Sequence, residues 1–133
     1  MAKILVVDDR PINRQFLVAL LGYMGHQLFE AGDGVEALAA ARRELPALII
    51  LDLYMPGMDG YEFLQIMRDD PRLGSIPVIF YTAAYNEREA RALGRGLGVT
   101  EVITKPSAPE TILERVSAVL ERNCVASDSS SRR

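Results

Sequence analysis

Polar residues stand at the ends of four short apolar runs in this sequence. Asp8 and Asp9 follow "KILVV", and Asp52 follows "ALIIL". Thr82 ends "IPVIFYT", and Lys105 ends "EVITK" just before a proline. If these runs are parallel strands, their carboxyl ends meet at one edge of a sheet, where such sheets bind ligands. The sequence therefore predicts a cluster of three carboxylates, one hydroxyl and one ammonium group.

This set of groups suits phosphoryl transfer, although each residue taken alone could be a helix cap or a loop residue. Three close carboxylates repel one another, and a hard divalent cation such as Mg²⁺ or Mn²⁺ would relieve that repulsion. An ionised carboxylate beside the cation can attack phosphorus and form an aspartyl phosphate. Lys105 would add a positive charge and Thr82 a hydroxyl donor. The backbone N–H of Ala83 would be another donor, and its small side chain leaves room for a phosphoryl group.

The chain alternates between segments typical of strands and segments typical of helices. Apolar runs predict strands over 3–9, 27–31, 47–52, 76–83 and 101–106. Apolar spacing and helix start and stop signals predict helices over 10–25, 32–45, 59–70, 84–98 and 107–123. The strands are continuously apolar, which indicates a parallel sheet covered on both faces. We therefore expect a doubly wound α/β fold of five strands and five helices.

The composition of the 133 residues fits one domain with a large core, since 49% are hydrophobic. A net charge of -3 argues against direct nucleic-acid binding. Cys124 is the single cysteine, which excludes an internal disulfide. We find no signal peptide and no apolar run long enough to cross a membrane, so we expect a cytoplasmic protein. The domain is expected over 1–123, and polar residues 124–133 are expected to form a flexible tail or linker.

Four motifs in this order, "VVDD", "ILDLYMPGMDG", "YTA" and "TKP", resemble the receiver domain of two-component response regulators, including chemotaxis regulators. The resemblance covers the chain from about residue 3 to residue 123. It implies a flavodoxin-like sheet with strand order 2-1-3-4-5. It also implies that Asp52 is the phosphoacceptor and that Asp9 binds Mg²⁺ directly. Asp8 would act largely through a bound water, and the backbone carbonyl of Tyr54 would be a further ligand.

The same resemblance implies a role for the remaining rim residues and for partners. Thr82 would be the switch hydroxyl, and Lys105 the phosphate-binding lysine before Pro106, a proline that is typically cis in this family. A sensor histidine kinase or a histidine phosphotransfer protein would donate the phosphoryl group. The chain would catalyse its own phosphorylation and dephosphorylation, without turning over a separate substrate. A homodimer would form through the face built by residues 84–123.

The sequence departs from the family pattern near the switch. The family usually has an aromatic residue three positions before the lysine, and this chain has Val102. Valine has few rotamers and no ring to swing. The residue after "KP" is often phenylalanine in the family, and here it is Ser107. Tyr81 and Tyr85 flank the switch threonine, and either is a candidate substitute for the missing aromatic.

Tyr54 and the charged run in 84–98 each allow two interpretations. Tyr54 and Ala84, each two residues after a rim residue, lie in the family beside the path of the attacking water. Tyr54 could equally be a rim aromatic without a role. The charged run in 84–98 is either a solvated helix face with i,i+4 ion pairs or a partner-binding face. His26, the single histidine, lies in a loop far from the rim, and we assign it no role.

Three alternatives remain beside the receiver interpretation. A phosphatase of the haloacid dehalogenase type would need an Asp-x-Asp motif after the first strand, whereas Asp8 and Asp9 are adjacent. A flavodoxin-like nucleotide binder would need a phosphate loop there, and "DDRPINR" is not one. A degenerate receiver that serves only as an interaction module would not need the complete set of rim residues.

Overall fold

The structure is a computed structural model that describes residues 2–53, 55, 57–58, 60–83, 88, 92, 96 and 98–131. Its strands are β1 Lys3–Val7, β2 Gln27–Ala31, β3 Leu48–Leu51, β4 Val78–Thr82 and β5 Glu101–Thr104. Its helices in the described residues are α1 Pro11–Tyr23, α2 Gly34–Glu44, α3 Gly60–Asp69 and α4 Pro109–Ser131. All neighbouring strands are parallel, in the order β2-β1-β3-β4-β5. The predicted sheet order is confirmed.

Two apolar clusters cover the two faces of the sheet. One packs side chains of β1, β3 and β4 against α2 and α3, with Phe63 and Met67 at its centre. The other packs the alternate side chains of β1, β3, β4 and β5 against α1 and α4, including Leu17 and Val116. The central strands are buried on both sides, which explains why their sequences are continuously apolar rather than alternating.

The helix signals in the sequence correspond to the helix ends. Pro11 opens α1, where a missing N–H costs nothing. Asp33 caps α2 by accepting a hydrogen bond from the Glu36 N–H at 2.7 Å. Arg42 and Arg43 lie in the last turn of α2, where positive charge complements the helix dipole. These local signals place the helix N-termini at the edge of the sheet that carries the rim residues.

The predicted ends of the described elements lie within two residues of the observed ones, except for the end of the last helix. The rim acids and Lys105 lie just beyond the strands, not within them. The last helix continues to Ser131, past residue 123 where we expected it to end, because the polar residues after 123 include no proline or glycine to stop it. The division into a domain over 1–123 and a tail over 124–133 stays a prediction. The helix expected over 84–98 falls largely outside the described residues.

In the part of the chain that the structure describes, no helix combines the length and the apolar character that a membrane span requires.

Candidate active site

The last backbone hydrogen bonds of the sheet hold the rim residues in place. The Asp8 N–H donates to the Ala31 carbonyl at 3.1 Å, and the Asp52 N–H donates to the Val7 carbonyl at 2.9 Å. The Lys105 N–H donates to the Thr82 carbonyl at 2.9 Å. These hydrogen bonds tie Asp8, Asp52 and the Thr82–Lys105 pair to neighbouring strands, and the parallel order brings the side chains to one edge, as the sequence predicted.

Three carboxylates meet at this edge. One oxygen each from Asp8, Asp9 and Asp52 lies within 4.8 Å of the others. Asp8 is 2% exposed and Asp52 8% exposed, while Asp9 is more open to solvent. Hard oxygen ligands gathered at this spacing suit a single Mg²⁺, whose bonds to oxygen are about 2.0–2.1 Å long. The donor set fits a divalent cation, and its burial makes uncompensated negative charge costly.

Lys105 and Thr82 supply the positive charge and the hydroxyl. The Lys105 Nζ lies 2.7 Å from Asp8 Oδ2 and 3.4 Å from Asp52 Oδ2. The Thr82 hydroxyl, which is fully buried, donates to Asp52 Oδ1 at 3.0 Å. The two oxygens of Asp52 thus face different partners, so the carboxylate is oriented as well as buried. The structure brings together all five residues that the sequence singled out.

Arg14 supports Asp8, and the sequence analysis did not identify it. Its Nη1 donates to the Asp8 backbone carbonyl at 2.6 Å, and its Nε donates to Glu30 Oε1 at 3.2 Å. The Arg10 N–H donates to Asp8 Oδ1 at 2.9 Å. An arginine one turn into a helix reads as a solvated residue, so only the folded chain reveals that Arg14 clamps the end of β1 to β2.

Two glycines leave room for close contacts with residues of the turn after Asp52. A Cβ on Gly60 would lie 2.6 Å from the Asp52 carbonyl oxygen, and a Cβ on Gly34 would lie 2.5 Å from Met58 Sδ. The Gly60 N–H donates to the Leu53 carbonyl at 2.9 Å. Glycine at 60 therefore lets α3 begin directly against the end of β3. Tyr54 lies outside the described residues, so its proposed carbonyl ligand stays a prediction.

A pocket of about 200 Å³ opens over Asp52. Its lining includes two residues that the sequence analysis missed, Arg10 and Asn13, and one that it predicted, Ala83. A larger pocket of about 600 Å³ has His26 in its wall and contains none of the rim acids. The His26 Nδ1 accepts a hydrogen bond from the Ala2 N–H at 3.1 Å, away from the rim. The rim residues Asp9, Asp52 and Lys105 line the smaller pocket.

Position 102 carries a valine in place of the aromatic ring that swings in and out in the family. Val102 is 5% exposed and packs in the cluster on the α2 and α3 face. Tyr81 packs in the cluster on the opposite face, so it does not occupy the place of the missing aromatic. Burial raises the pKa of the Tyr81 hydroxyl, while the charge of Lys105 and a hydrogen bond with the Ser107 backbone act in the opposite direction. Tyr85 and Ala84 lie outside the described residues.

The Lys105–Pro106 peptide bond is cis, as the resemblance implied. After it, the Ser107 hydroxyl donates to the Thr104 carbonyl at 2.6 Å. Serine thus forms a local hydrogen bond at the position where the family often has phenylalanine.

Comparisons with known proteins agree with this geometry. A sequence model of the response regulator receiver domain matches residues 4–117. Protein PilH of Pseudomonas aeruginosa is 37% identical over 120 residues, which cover 90% of this chain and 98% of PilH. The crystal structure of the chemotaxis protein CheY4 of Vibrio cholerae at low pH superposes with a TM-score of 0.84 and 35% identity. That match covers 90% of this chain and 98% of CheY4.

Other relatives are longer than this chain. The response regulator PleD of Caulobacter vibrioides is 40% identical over 118 residues, which are 26% of PleD. The probable transcriptional regulator ycf27 of Porphyridium aerugineum is 38% identical, and the match covers 48% of that protein. The shared domain therefore makes up nearly the whole of PilH and only part of PleD and ycf27.

Proposed function

Because this chain belongs to the response regulator receiver domain family, we propose that its Asp52 is the residue that accepts the phosphoryl group. Receiver domains accept phosphoryl groups from histidine kinases. The observation that carries the assignment to Asp52 is its orientation, with Thr82 on one oxygen at 3.0 Å and Lys105 near the other at 3.4 Å. Neither Asp8 nor Asp9 combines this burial with contacts from both groups.

In each step of the proposed reaction, one bond to phosphorus forms and one bond to phosphorus breaks. A carboxylate oxygen of Asp52 forms a bond to phosphorus while the P–N bond of the donor's phosphohistidine breaks, and the imidazole nitrogen keeps the bonding pair. In the later dephosphorylation step, water attacks the phosphorus, inorganic phosphate leaves and the carboxylate is restored. Phosphoryl transfer needs mainly positioning and charge neutralisation, which a rigid strand end and Lys105 supply.

We further propose that Asp8, Asp9, Asp52 and the Tyr54 carbonyl hold Mg²⁺, or Mn²⁺ in its place. Receiver domains bind Mg²⁺ in an acidic pocket, and the three carboxylates here form such a pocket. An ion held there would supply positive charge that offsets the negative charge of the phosphoryl group. Asp9 is the best candidate for a direct bond, because Asp8 already accepts hydrogen bonds from Lys105 and from the Arg10 N–H.

The switch that we propose uses Thr82 without a ring at position 102. A phosphoryl group on Asp52 adds strong acceptor oxygens, which would draw the Thr82 hydroxyl away from Asp52 Oδ1 and would attract the Ala83 N–H. The polar segment 84–98 follows directly and would carry the change to a partner or to a second copy through the 84–123 face. Spectra recorded with and without beryllofluoride test this route. Shifts that spread through 84–98 support it, and shifts confined to the Asp52 pocket contradict it.

The donor protein would dock on the outer face of α1. Ile12 is 79% exposed and Phe16 40% exposed, one helical turn apart, and Asn13 beside them lines the pocket over Asp52. Ile12 and Phe16 would offer such a partner apolar contacts next to the pocket. The phosphohistidine of a partner docked there would lie beside the pocket over Asp52.

Mass spectrometry of the chain treated with acetyl phosphate and Mg²⁺ tests the acceptor assignment. We expect one added phosphoryl group in the unmodified chain and in Asp69→Asn, a control on the exposed end of α3. We expect none in Asp52→Asn. Undiminished labelling of Asp52→Asn would move the acceptor elsewhere. A chain that takes no phosphoryl group from any donor would instead be a degenerate receiver.

A further inference from the structure

Tyr81 lies beneath the one lysine of the site. The Lys105 Nζ is 5.3 Å from the centroid of the Tyr81 ring, within the distance of about 6 Å at which an aromatic face attracts a cation. Tyr81 is 8% exposed and its backbone pairs with Ile103 across the sheet. The ring is therefore held by packing, and the lysine side chain lies between this ring and the acids.

We propose that Tyr81 is a positioning residue that holds the Lys105 ammonium group at the phosphoryl pocket. This proposal rests on the proposed function of Asp52 and adds a partner for its lysine. Nothing in the receiver motifs indicates this role, because the residue before the threonine reads from sequence as an apolar strand position.

The reason lies in what Mg²⁺ would do to the other partners of Lys105. The Lys105 ammonium lies 2.7 Å from Asp8 Oδ2 and 3.4 Å from Asp52 Oδ2. Both are also candidate metal ligands, so a cation competes with the lysine for their oxygens. An aromatic face does not bind a hard cation such as Mg²⁺, which takes oxygen ligands. The Tyr81 ring would therefore remain in contact with the lysine if the carboxylates bound a metal ion.

The loop beyond Lys105 strengthens the arrangement. The Thr104 backbone pairs with Thr82 across the sheet, and the Ser107 hydroxyl donates to the Thr104 carbonyl at 2.6 Å. The residues on both sides of Lys105 are thus tied to β4 and β5. A lysine on a fixed backbone over a fixed ring samples fewer rotamers, and less entropy is lost when it meets the phosphoryl group.

A kinetic comparison of Tyr81→Leu with Tyr81→Phe tests the proposal. With acetyl phosphate, Tyr81→Leu should lower the phosphorylation rate constant about three- to tenfold, as expected for the loss of a partly buried cation–π contact. Tyr81→Phe keeps the ring and should stay within about twofold of the unmodified chain. The Mg²⁺ affinity should change little in both, because the ring is not a ligand. A general packing defect would instead lower both quantities together.

A double-mutant cycle shows whether Tyr81 acts through the lysine. In a Lys105→Met background, adding Tyr81→Leu should change the rate by less than about twofold. A loss in that background as large as in the unmodified chain would overturn the proposal, and so would a Tyr81→Leu rate equal to that of the unmodified chain.

Nuclear magnetic resonance on the unmodified chain gives an answer even if Tyr81→Leu does not fold. The chain has two lysines, Lys105 and Lys3, and Lys3 pairs with Glu44 at the surface. The ring should shift the Hε resonances of Lys105 upfield of those of Lys3, and the shift should persist after Mg²⁺ and beryllofluoride are added. Coinciding Hε resonances in the loaded state would refute the positioning role.

These experiments distinguish a failure of the Tyr81 proposal from a failure of the Asp52 assignment. If Asp52→Asn labels as strongly as the unmodified chain, the acceptor assignment fails. If Asp52→Asn loses the label while Tyr81→Leu retains full rate, the acceptor assignment stands and only the positioning role of Tyr81 falls.

Discussion

Replacing Asp8 and Asp9 one at a time by alanine should move the stability of the metal-free protein in opposite directions. The two residues are adjacent, and each replacement removes one negative charge. Asp8 accepts hydrogen bonds from the Lys105 ammonium at 2.7 Å and from the Arg10 N–H at 2.9 Å. Asp9 is more exposed and lies in the same cluster of carboxylates. We therefore expect Asp8→Ala to destabilise the fold and Asp9→Ala to stabilise it.

The magnitudes follow from the distances. Removing Asp9 removes its repulsion by the two other carboxylates and its attraction to the Lys105 ammonium. If the three interactions are of similar size, the net effect is the loss of one repulsion. For carboxylate oxygens within 4.8 Å, that repulsion is about 1–3 kcal/mol between a water-like and a surface-like dielectric. After relaxation we expect Asp9→Ala to be about 1 kcal/mol more stable. Asp8→Ala loses charged hydrogen bonds of about 1.5–3 kcal/mol each, partly offset by the same relief of repulsion. We expect it to be about 2 kcal/mol less stable.

Urea denaturation in the presence of a chelator measures both changes, and a Mg²⁺ titration then separates the roles in metal binding. Saturating Mg²⁺ should raise the midpoint of the unmodified chain, because a ligand that binds the folded state stabilises it. Asp9→Ala should gain least from Mg²⁺. If Asp9→Ala is destabilised without metal, the acids do not repel as the geometry implies. If Asp8→Ala loses the larger share of the Mg²⁺ effect, the direct ligand is Asp8.

Three further predictions follow from single contacts. Gly60→Ala should cost about 2–3 kcal/mol of folding free energy, since its Cβ would meet the Asp52 carbonyl, whereas Gly22→Ala in α1 should be neutral or stabilising; urea midpoints of the two variants compare them. Burial lowers the pKa of His26 from its ordinary 6.5, so the unfolded chain takes the proton first and stability should fall as the pH drops through about 6.5; thermal midpoints of His26→Gln should lose this component. Ile12→Asp should slow transfer from a phosphohistidine protein while leaving labelling by acetyl phosphate unchanged, and Tyr23→Asp at the far end of α1 should leave both rates unchanged.

The sequence by itself determined the architecture and the members of the site. The continuous apolar runs required a sheet buried on both faces, and the helical segments between them required crossover connections. In such a fold the residues after the strands share one edge, so Asp8, Asp52 and Lys105 could be placed together without coordinates. This succeeds because apolar strand runs, helical periodicity and turn chemistry are local properties that short stretches of sequence express.

The tertiary structure alone decided which groups pair with which. The sequence could not reveal that Lys105 lies nearer to Asp8 than to Asp52, that Arg14 clamps the end of β1, or that Tyr81 lies under the lysine ammonium group. The sequence also placed the end of the last helix at residue 123, whereas the helix continues to Ser131. These features depend on distances between residues far apart in the chain. Such distances are set by how two helical layers pack on a twisted sheet, and no local pattern encodes them.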